Sequence, residues 1–206
     1  MRVKSFTSAD MGENCYIVSG DDKEAVVIDP GNSAEKILDY IKKEELDVKA
    51  VLQTHAHFDH MCSAAAVKAA TGAAIYIAEP EAVVASDTGR NLSAMFGTPE
   101  AYAYDEVLSD GDTFEFGGTE CRLILTPGHT VGSCCYYFEQ EGALFSGDTL
   151  FQGSVGRTDF PTGDDESLRK SIIAKLFILP EGVRVFSGHG PSTTIGYEKE
   201  NNMYVF

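Results

Sequence analysis

Three histidines and an aspartate fall within six residues of the chain: His55, His57, Asp59 and His60. They follow the apolar residues 48–52, which predict a short strand, and they precede an alanine-rich stretch that predicts a helix. Alternate side chains of an extended segment point the same way, so His55 and His57 can bind one metal ion. Asp59 and His60 come where the chain turns into the helix, and they can face a second ion. Four polar residues on an exposed loop would be the plain alternative, but this spacing after an apolar strand favours a metal site.

The other two histidines and one further aspartate also come shortly after predicted strands. These are His129 after residues 121–125, Asp148 after 143–145 and His189 after 183–186. A Ser-Gly pair precedes both Asp148 and His189, and its glycine allows the backbone to turn sharply where the strand leaves the sheet. Sites of α/β proteins form where several strand ends aim their loops at one crevice. The sequence therefore predicts one metal centre that uses all five histidines of the chain.

The remaining segments must supply the frame that positions these loops. Further strands are predicted at residues 14–19, 25–28, 74–77, 113–116 and 134–138. Helices are predicted after a cap at Asn32 or Ser33, over 61–70 and over 167–179, while 86–104 form a surface excursion that is partly helical. This order predicts an α/β protein in which two packed sheets carry helices outside, as one domain over residues 1–206.

With these segments on one chain, the sequence resembles the metallo-β-lactamase-fold hydrolases over nearly its whole length. The resemblance implies an αβ/βα four-layer sandwich, with two mixed β-sheets packed face to face and the metals at one edge between them. It also implies two divalent metal ions per chain, zinc first, with iron or manganese as alternatives. The implied first site has three ligands: His55, His57 and His129. The implied second site also has three ligands: Asp59, His60 and His189. Asp148 would bridge the two ions.

Four segments, at residues 126–133, 147–151, 156–160 and 188–196, look like glyoxalase II and its short bacterial relatives. That likeness implies attack of a metal-bridging hydroxide on a thioester such as S-lactoylglutathione. Asp59 would then orient the nucleophile besides binding metal. The chain ends soon after His189, so we expect no C-terminal helical extension of the kind that helps full-length glyoxalase II bind glutathione.

Other activities of the same fold stay open. Persulfide dioxygenases share the ligand motif and a Gly-Arg-Thr-Asp-Phe segment, and they hold one iron with residues that correspond to His55, His129 and Asp148. The Gly-Pro-Ser-Thr-Thr sequence after His189 looks instead like the short hydrolases. A lactone or phosphoester hydrolase is also possible. A member that keeps the fold only for binding is disfavoured, because the ligand set is complete.

Several residues near the ligands are candidates for supporting roles. Asp29 can hold a ligand imidazole or simply form a turn. Arg157 and Asp159 can contact substrate, although an ion pair that pins their loop is favoured. Three aromatic residues can line the pocket or serve as packing: Phe151, Phe160 and Tyr197.

Composition limits the partners. The formal net charge is −16, which disfavours nucleic acid and anionic membranes, and no apolar run is long enough for a membrane helix. The N-terminus does not read as a signal peptide, and the five cysteines are predicted to be reduced thiols. We therefore expect a cytoplasmic enzyme, a monomer or small homo-oligomer, that acts on a small molecule.

Overall fold

The computed structural model describes residues 1–31 and 34–205, and within them two six-stranded β-sheets pack face to face. The first sheet contains β1 (Arg2–Thr7), β2 (Asn14–Ser19), β3 (Glu24–Ile28), β4 (Asp47–Leu52), β5 (Ala74–Ala78) and β6 (Glu106–Leu108). The second begins with β7 (Thr113–Phe116), β8 (Thr119–Leu125), β9 (Cys134–Phe138) and β10 (Ala143–Gly147). A separate hairpin of β11 (Leu150–Phe151) and β12 (Ser154–Val155) follows, and the second sheet is completed by β13 (Arg184–Ser187) and β14 (Thr193–Thr194).

Both sheets are mixed. The first runs from β1 to β6 in chain order, with parallel pairing from β3 onward and antiparallel pairing before it. The second has the order β14-β13-β10-β9-β8-β7, in which only β10 and β13 are parallel neighbours. Parallel neighbours end at the same edge of a sheet, so β3, β4 and β5 deliver their following loops to one place.

Helices cover the outer faces of the two sheets. They are α1 (Ala34–Glu44), α2 (Phe58–Met61), α3 (Ala64–Thr71), α4 (Ala82–Ala85), α5 (Asp165–Ser171) and α6 (Ile195–Asn201). A 3₁₀ turn (Glu79–Glu81) leads into α4, and a π-helical turn (Ile172–Leu176) continues α5. None of the described helices is both long enough and apolar enough to span a membrane. The predicted helix cap at Asn32 or Ser33 lies outside the described residues.

Three layers of buried side chains join the sheets and helices. Successive residues of one strand belong to different layers. In β3, Val26 and Ile28 pack between the sheets, while Val27 packs outward under the helices. In the second sheet Cys134 belongs to the middle layer and Cys135 to the outer one, because adjacent residues of a strand point to opposite faces. All five cysteines are free thiols. The predicted αβ/βα four-layer sandwich is confirmed.

Two predicted helices differ in the structure. The helix predicted over 61–70 is broken into α2 and α3, because the Ser63 N–H donates to the carbonyl oxygen of Pro30, 2.9 Å away, and not within the helix. The helix predicted over 167–179 begins earlier, at Asp165, where Asp164 caps it by accepting a 2.7 Å hydrogen bond from the Ser167 N–H.

The segment 86–104 is neither helical nor wholly on the surface. The Asn91 side-chain oxygen accepts a 2.9 Å hydrogen bond from the Ser93 N–H, which gives the backbone an alternative to a helical turn. Asn91 and Ser93 are fully buried, and the Asn91 carbonyl oxygen accepts a 2.9 Å hydrogen bond from the Phe58 N–H. The predicted excursion therefore packs against the start of α2, beside the histidine loop.

Candidate metal centre

The predicted ligands converge on one edge of the sandwich, where strands from both sheets end. The loop after β4 carries His55 and His57, and α2 carries Asp59 and His60. The loops after β8, β10 and β13 bring His129, Asp148 and His189 from the second sheet. Contacts between the sheets fix this meeting, since the Cys134 N–H donates to the Thr54 carbonyl oxygen at 2.9 Å and the Tyr16 hydroxyl donates to the Ser187 carbonyl oxygen at 2.7 Å.

The ligands group into two triads with the membership that the resemblance implied. In each triad, one potential ligand atom per residue lies within 4.8 Å of the others. The first triad is His55, His57 and His129, and all three rings are buried. The second triad is Asp59, His60 and His189.

Asp148 lies between the triads. Its Oδ2 is 3.6 Å from His129 Nε2 in the first triad and 3.5 Å from His189 Nε2 in the second. Its Oδ1 is 3.4 Å from His60 Nε2. One carboxylate thus contacts both triads, which is the arrangement that a bridging ligand requires.

Asp29 is linked by hydrogen bonds to one histidine of each triad, directly to His60 and through Thr54 to His55. Its Oδ2 accepts a 3.0 Å hydrogen bond from His60 Nδ1 and a 2.6 Å hydrogen bond from the Thr54 hydroxyl. Because that hydroxyl donates to Asp29, its oxygen can accept from His55 Nδ1, 3.2 Å away. Asp29 has a φ of 48°, a left-handed conformation that aspartate tolerates better than most residues. It therefore fixes the tautomer of one histidine in each triad and leaves each Nε2 lone pair for a metal.

The other histidine contacts and the unpartnered atoms agree with a metal site. His129 Nδ1 donates to the Arg157 carbonyl oxygen at 2.7 Å, which leaves its Nε2 as the possible ligand atom. Among the described residues, several buried atoms at the centre have no hydrogen-bond partner: His55 Nε2, His57 Nε2, His60 Nε2 and Asp148 Oδ1. Buried polar atoms are normally satisfied, so the cluster fits divalent metal ions.

The protonation states of the first triad and of the two carboxylates suit metal binding, whereas the neighbouring carboxylates raise the pKa of His60 and of His189 against the effect of burial, so that an ion in the second triad would displace a proton from each ring. Burial lowers the pKa of His55 well below its usual value, and burial with the neighbouring His129 lowers the pKa of His57 to about 3. Burial works against the charge of Asp148, but the adjacent His60 outweighs it and holds the pKa of that carboxyl below its usual value. The pKa of Asp59 is likewise lowered by His60 and His189 against the effect of burial. Neutral imidazoles and ionised carboxylates are the forms that bind metal.

A close backbone approach brings the last ligand loop to the centre. A Cβ at Gly188 would lie 2.3 Å from Asp148 Oδ1 and 2.8 Å from His60 Cε1. The predicted sharp turn is found at Gly147, where φ is 47°. At Gly188 a glycine is required for a different reason, because any larger side chain would clash with the neighbouring ligand residues.

A cavity of about 360 Å³ opens above the centre. Its floor includes five predicted ligands: His57, Asp59, His129, Asp148 and His189. Its walls are mainly apolar: Met11, Phe58, Leu92, Phe96, Phe151, Val155 and Phe160. Sequence reasoning identified Phe151 and Phe160 but missed the wall from residues 92–96, because nothing local shows that this segment folds back over the site.

Arg157 and Asp159 form an ion pair. The Arg157 Nε and Nη2 atoms donate to the two Asp159 carboxylate oxygens at 2.7 and 2.6 Å, and the guanidinium lies 3.9 Å from the Phe160 ring centre. The Phe160 ring in turn meets the His57 ring edge to face at 5.9 Å. Arg157 borders the cavity, and Asp159 is not among the residues that line it. The pair and the stacked ring therefore pin the loop that supports His129.

Tyr197 does not line the cavity, so its predicted pocket role is wrong. It lies in the first turn of α6, where Ile195 and Glu198 occupy the buried face. Side chains three apart share one face of a helix, which leaves Tyr197 turned outward and 47% exposed.

The ion pair offers a direct test of whether Arg157 binds substrate. If the pair only pins the loop, Arg157→Ala and Asp159→Ala each lower kcat/KM by at most about fivefold, because both side chains are exposed. The double variant then loses no more than the worse single variant. The measurement is kcat/KM on one neutral and one anionic thioester. A lower KM for the anionic substrate in Asp159→Ala, with a higher one in Arg157→Ala, would show instead that Arg157 binds substrate.

Comparisons with known proteins identify the family of the chain. The family described as the metallo-beta-lactamase superfamily matches residues 9–189. The chain belongs to this superfamily. It is 35% identical to the hydroxyacylglutathione hydrolase GloC of Haemophilus influenzae over 94% of this chain and 92% of that protein.

Solved structures of the superfamily superpose on the whole fold. The B3 metallo-beta-lactamase BLEG-1 is 39% identical, with a TM-score of 0.93 over 99% of each chain. TTHA1623, solved in a di-iron-bound form, is 32% identical, with a TM-score of 0.86 over 98% of this chain and 100% of its own. The chain is thus a metallo-hydrolase of the metallo-beta-lactamase superfamily with a His/Asp cluster that can hold divalent metals.

Proposed function

We propose that this metallo-hydrolase is a dinuclear enzyme that cleaves a small thioester, with S-lactoylglutathione as the first candidate substrate. The observation that carries the proposal is Asp148, whose carboxylate contacts His129 on one side and His60 and His189 on the other. Two triads joined in this way suit two ions better than one. The similarity to GloC and to the di-iron form of TTHA1623 supports both parts of the proposal.

The assignment of ligands follows the two triads. His55, His57 and His129 would hold the first ion, while Asp59, His60 and His189 would hold the second, with Asp148 shared. Zinc is the first candidate, and iron or manganese are the alternatives. When bound, such a pair lowers the pKa of water toward about 7 and polarises a carbonyl group.

The chain's own residues orient the water and the ligand imidazoles. The Asp59 carboxylate lines the cavity floor, with its Oδ2 atom 3.4 Å from His189 Nε2. Its lowered pKa keeps Asp59 ionised, so the carboxylate can accept a hydrogen bond from the attacking water and orient it. Water then adds to the thioester carbonyl, the carbon–sulfur bond breaks, and the products are a carboxylic acid and a thiol. Asp29 and the Arg157 carbonyl oxygen keep the histidine rings in place during these steps.

The cavity walls favour an uncharged, partly apolar group around the reacting carbonyl. Phe58 and Phe96 stack with ring centres 4.5 Å apart, and the site is also bordered by Phe151 of the β11–β12 hairpin and by Phe160 of the loop after it. Such a wall suits a sulfur atom and a short acyl chain. Among the described residues that line the cavity, Arg157 is the one Lys or Arg, and Asp159 already pairs with it. The carboxylates of glutathione therefore find little complementary charge, so thioesters of simpler thiols belong among the candidates.

A substrate panel on protein of measured metal content tests the proposal. The panel contains S-lactoylglutathione, a thioester of an uncharged thiol, a lactone, a phosphodiester and a β-lactam, the last because of the similarity to BLEG-1. We expect two metal ions per chain and thioester cleavage that is at least about tenfold faster, as kcat/KM, than any other arm. A faster lactone, phosphodiester or β-lactam reaction would replace the thioester assignment.

A mononuclear-iron persulfide dioxygenase is the alternative from another reaction class. It would use His55, His129 and Asp148, and His129 lies beside each of the other two, with its ring centre 4.8 Å from that of His55 and its Nε2 3.6 Å from Asp148 Oδ2. Oxygen consumption with glutathione persulfide, on protein that holds one iron per chain, would overturn the hydrolase proposal. No oxygen uptake together with two metals per chain supports it.

A further inference from the structure

Glu81 is a buried carboxylate beside the first triad that the proposed chemistry does not use. It ends the 3₁₀ turn after β5, the third parallel strand whose carboxyl end reaches the metal edge. Its side chain is only 1% exposed. Burial raises the pKa of Glu81 to about 7, against the effect of the hydrogen bonds it accepts. A charge in such a place must be compensated by its contacts.

Those contacts come from the two loops that carry the first triad. Glu81 Oε1 accepts a 2.8 Å hydrogen bond from the N–H of Ala56, the residue between His55 and His57. Glu81 Oε2 accepts from the Thr130 hydroxyl at 2.8 Å, one residue after His129.

A third donor reaches the same carboxylate from the His129 loop. The Gly132 N–H donates to Glu81 Oε2 at 2.9 Å, and a Cβ at Gly132 would lie 2.3 Å from the Glu81 backbone nitrogen. The loop therefore packs directly on Glu81, with no room for a side chain between them. Both carboxylate oxygens receive backbone N–H groups, so a glutamine would have to turn its NH₂ toward another donor.

We propose that Glu81 is a positioning residue for the first metal site, where it holds the His55–His57 loop and the His129 loop at the separation that metal binding needs. The inference rests on the proposed two-metal assignment, but it concerns metal affinity and not the substrate. Ala56 belongs to the first sheet's loop and Thr130 to the second sheet's loop, so Glu81 spans the gap between the sheets. Among the described residues, the hydrogen bonds of Glu81 come from Ala56, Thr130 and Gly132 and not from His189 or Asp59, so we expect the second site not to depend on it.

The test separates the two sites by removing one of them at a time. His189→Ala leaves the three-histidine site, and His57→Ala leaves the Asp59, His60 and His189 site. Zinc affinity of each full-length variant is measured by competition with a chromogenic chelator, with and without Glu81→Gln. We expect Glu81→Gln to weaken zinc binding by about 10- to 100-fold in the His189→Ala background and by less than about twofold in the His57→Ala background.

Glu198 provides a matched control. It is also fully buried and also accepts three hydrogen bonds, from the Gly153 N–H, the Thr193 hydroxyl and the Asn202 side chain. None of these donors belongs to the loops of the first triad. Glu198→Gln should lower the melting temperature as Glu81→Gln does, yet leave zinc affinity in the His189→Ala background unchanged.

Several outcomes would overturn the inference. Equal losses of zinc affinity in Glu81→Gln and Glu198→Gln would mean that Glu81 only stabilises the fold. Equal losses of zinc affinity at both metal sites would mean that Glu81 does not act specifically on the first site. If Glu81→Gln does not fold, Thr130→Val removes one donor at similar volume, and it must weaken the first site in the same direction. Tight zinc binding without thioester cleavage would refute the proposed substrate alone and leave this inference standing.

Discussion

Replacing Asp148 with alanine is expected to lower kcat/KM by at least about a thousandfold while the protein stays folded. The carboxylate contacts His60, His129 and His189, so its removal takes away the group common to both triads. A pair of metals that act on a carbonyl supplies several kcal/mol of transition-state stabilisation, and each 1.4 kcal/mol is worth about a tenfold change in rate. We also expect the metal content to fall from two ions per chain toward one.

The measurement combines kcat/KM, metal analysis and far-ultraviolet circular dichroism on the same preparation. His55→Ala should give a comparable loss through the first site alone. Asp110→Ala is the control, because this aspartate pairs with Lys175 at 2.8 Å and does not line the cavity. Retained turnover in Asp148→Ala would refute the bridging assignment, and an unfolded Asp148→Ala protein would move the test to Asp148→Asn.

The strand-end rule is the reason that the sequence alone could indicate one metal centre and its candidate residues, whereas the four-layer sandwich and the division into two sites were implied by the family resemblance. The apolar runs of β3, β4, β10 and β13 are buried on both faces, so their ends are visible as the point where polar residues begin. His55 follows the end of β4 by three residues and His189 follows the end of β13 by two. No contact had to be known in advance, because parallel neighbours in a sheet end at the same edge.

The same rule could have found Glu81 but not its role. Glu79 and Glu81 both follow β5, and the sequence does not distinguish them. Only the packing of the His129 loop on the 3₁₀ turn places Glu81 inside and Glu79 on the surface. Edge strand β1 was missed for a related reason, since its residues are mostly exposed and its six-residue pairing with β2 is what makes it a strand.

Local sequence patterns could not predict the surroundings of side chains that pack against distant segments. Tyr197 looked like a pocket aromatic because it follows His189 closely in sequence, yet the cap at Thr194 sets the helix rotation that turns it outward. Phe96 looked like part of a surface excursion, yet it stacks on Phe58 over the cavity. The outward position of Tyr197 and the position of Phe96 over the cavity both depend on how neighbouring segments pack. A single sequence does not show that packing.

Removing the metal is expected to lower the melting temperature by at least about 8 °C. The native centre gathers five imidazoles and two carboxylates, and several of their buried atoms have no hydrogen-bond partner among the described residues, so an ion would satisfy them. An ion that binds only the folded chain stabilises it by about 4 kcal/mol when its free concentration is a thousandfold above the dissociation constant. For a chain of this length, each kcal/mol shifts the melting temperature by about 2–4 °C.

The experiment compares chelator-treated protein with the same sample after zinc is restored, using thermal unfolding followed by circular dichroism. A His55→Ala, His189→Ala double variant is the control, because each triad then lacks one imidazole and the zinc-dependent shift should fall below about 3 °C. An equal shift in that variant would mean that zinc acts elsewhere on this acidic surface. A full shift in the native chain, lost in the variant, would tie the stability gained from zinc to the same residues that are proposed to carry the reaction.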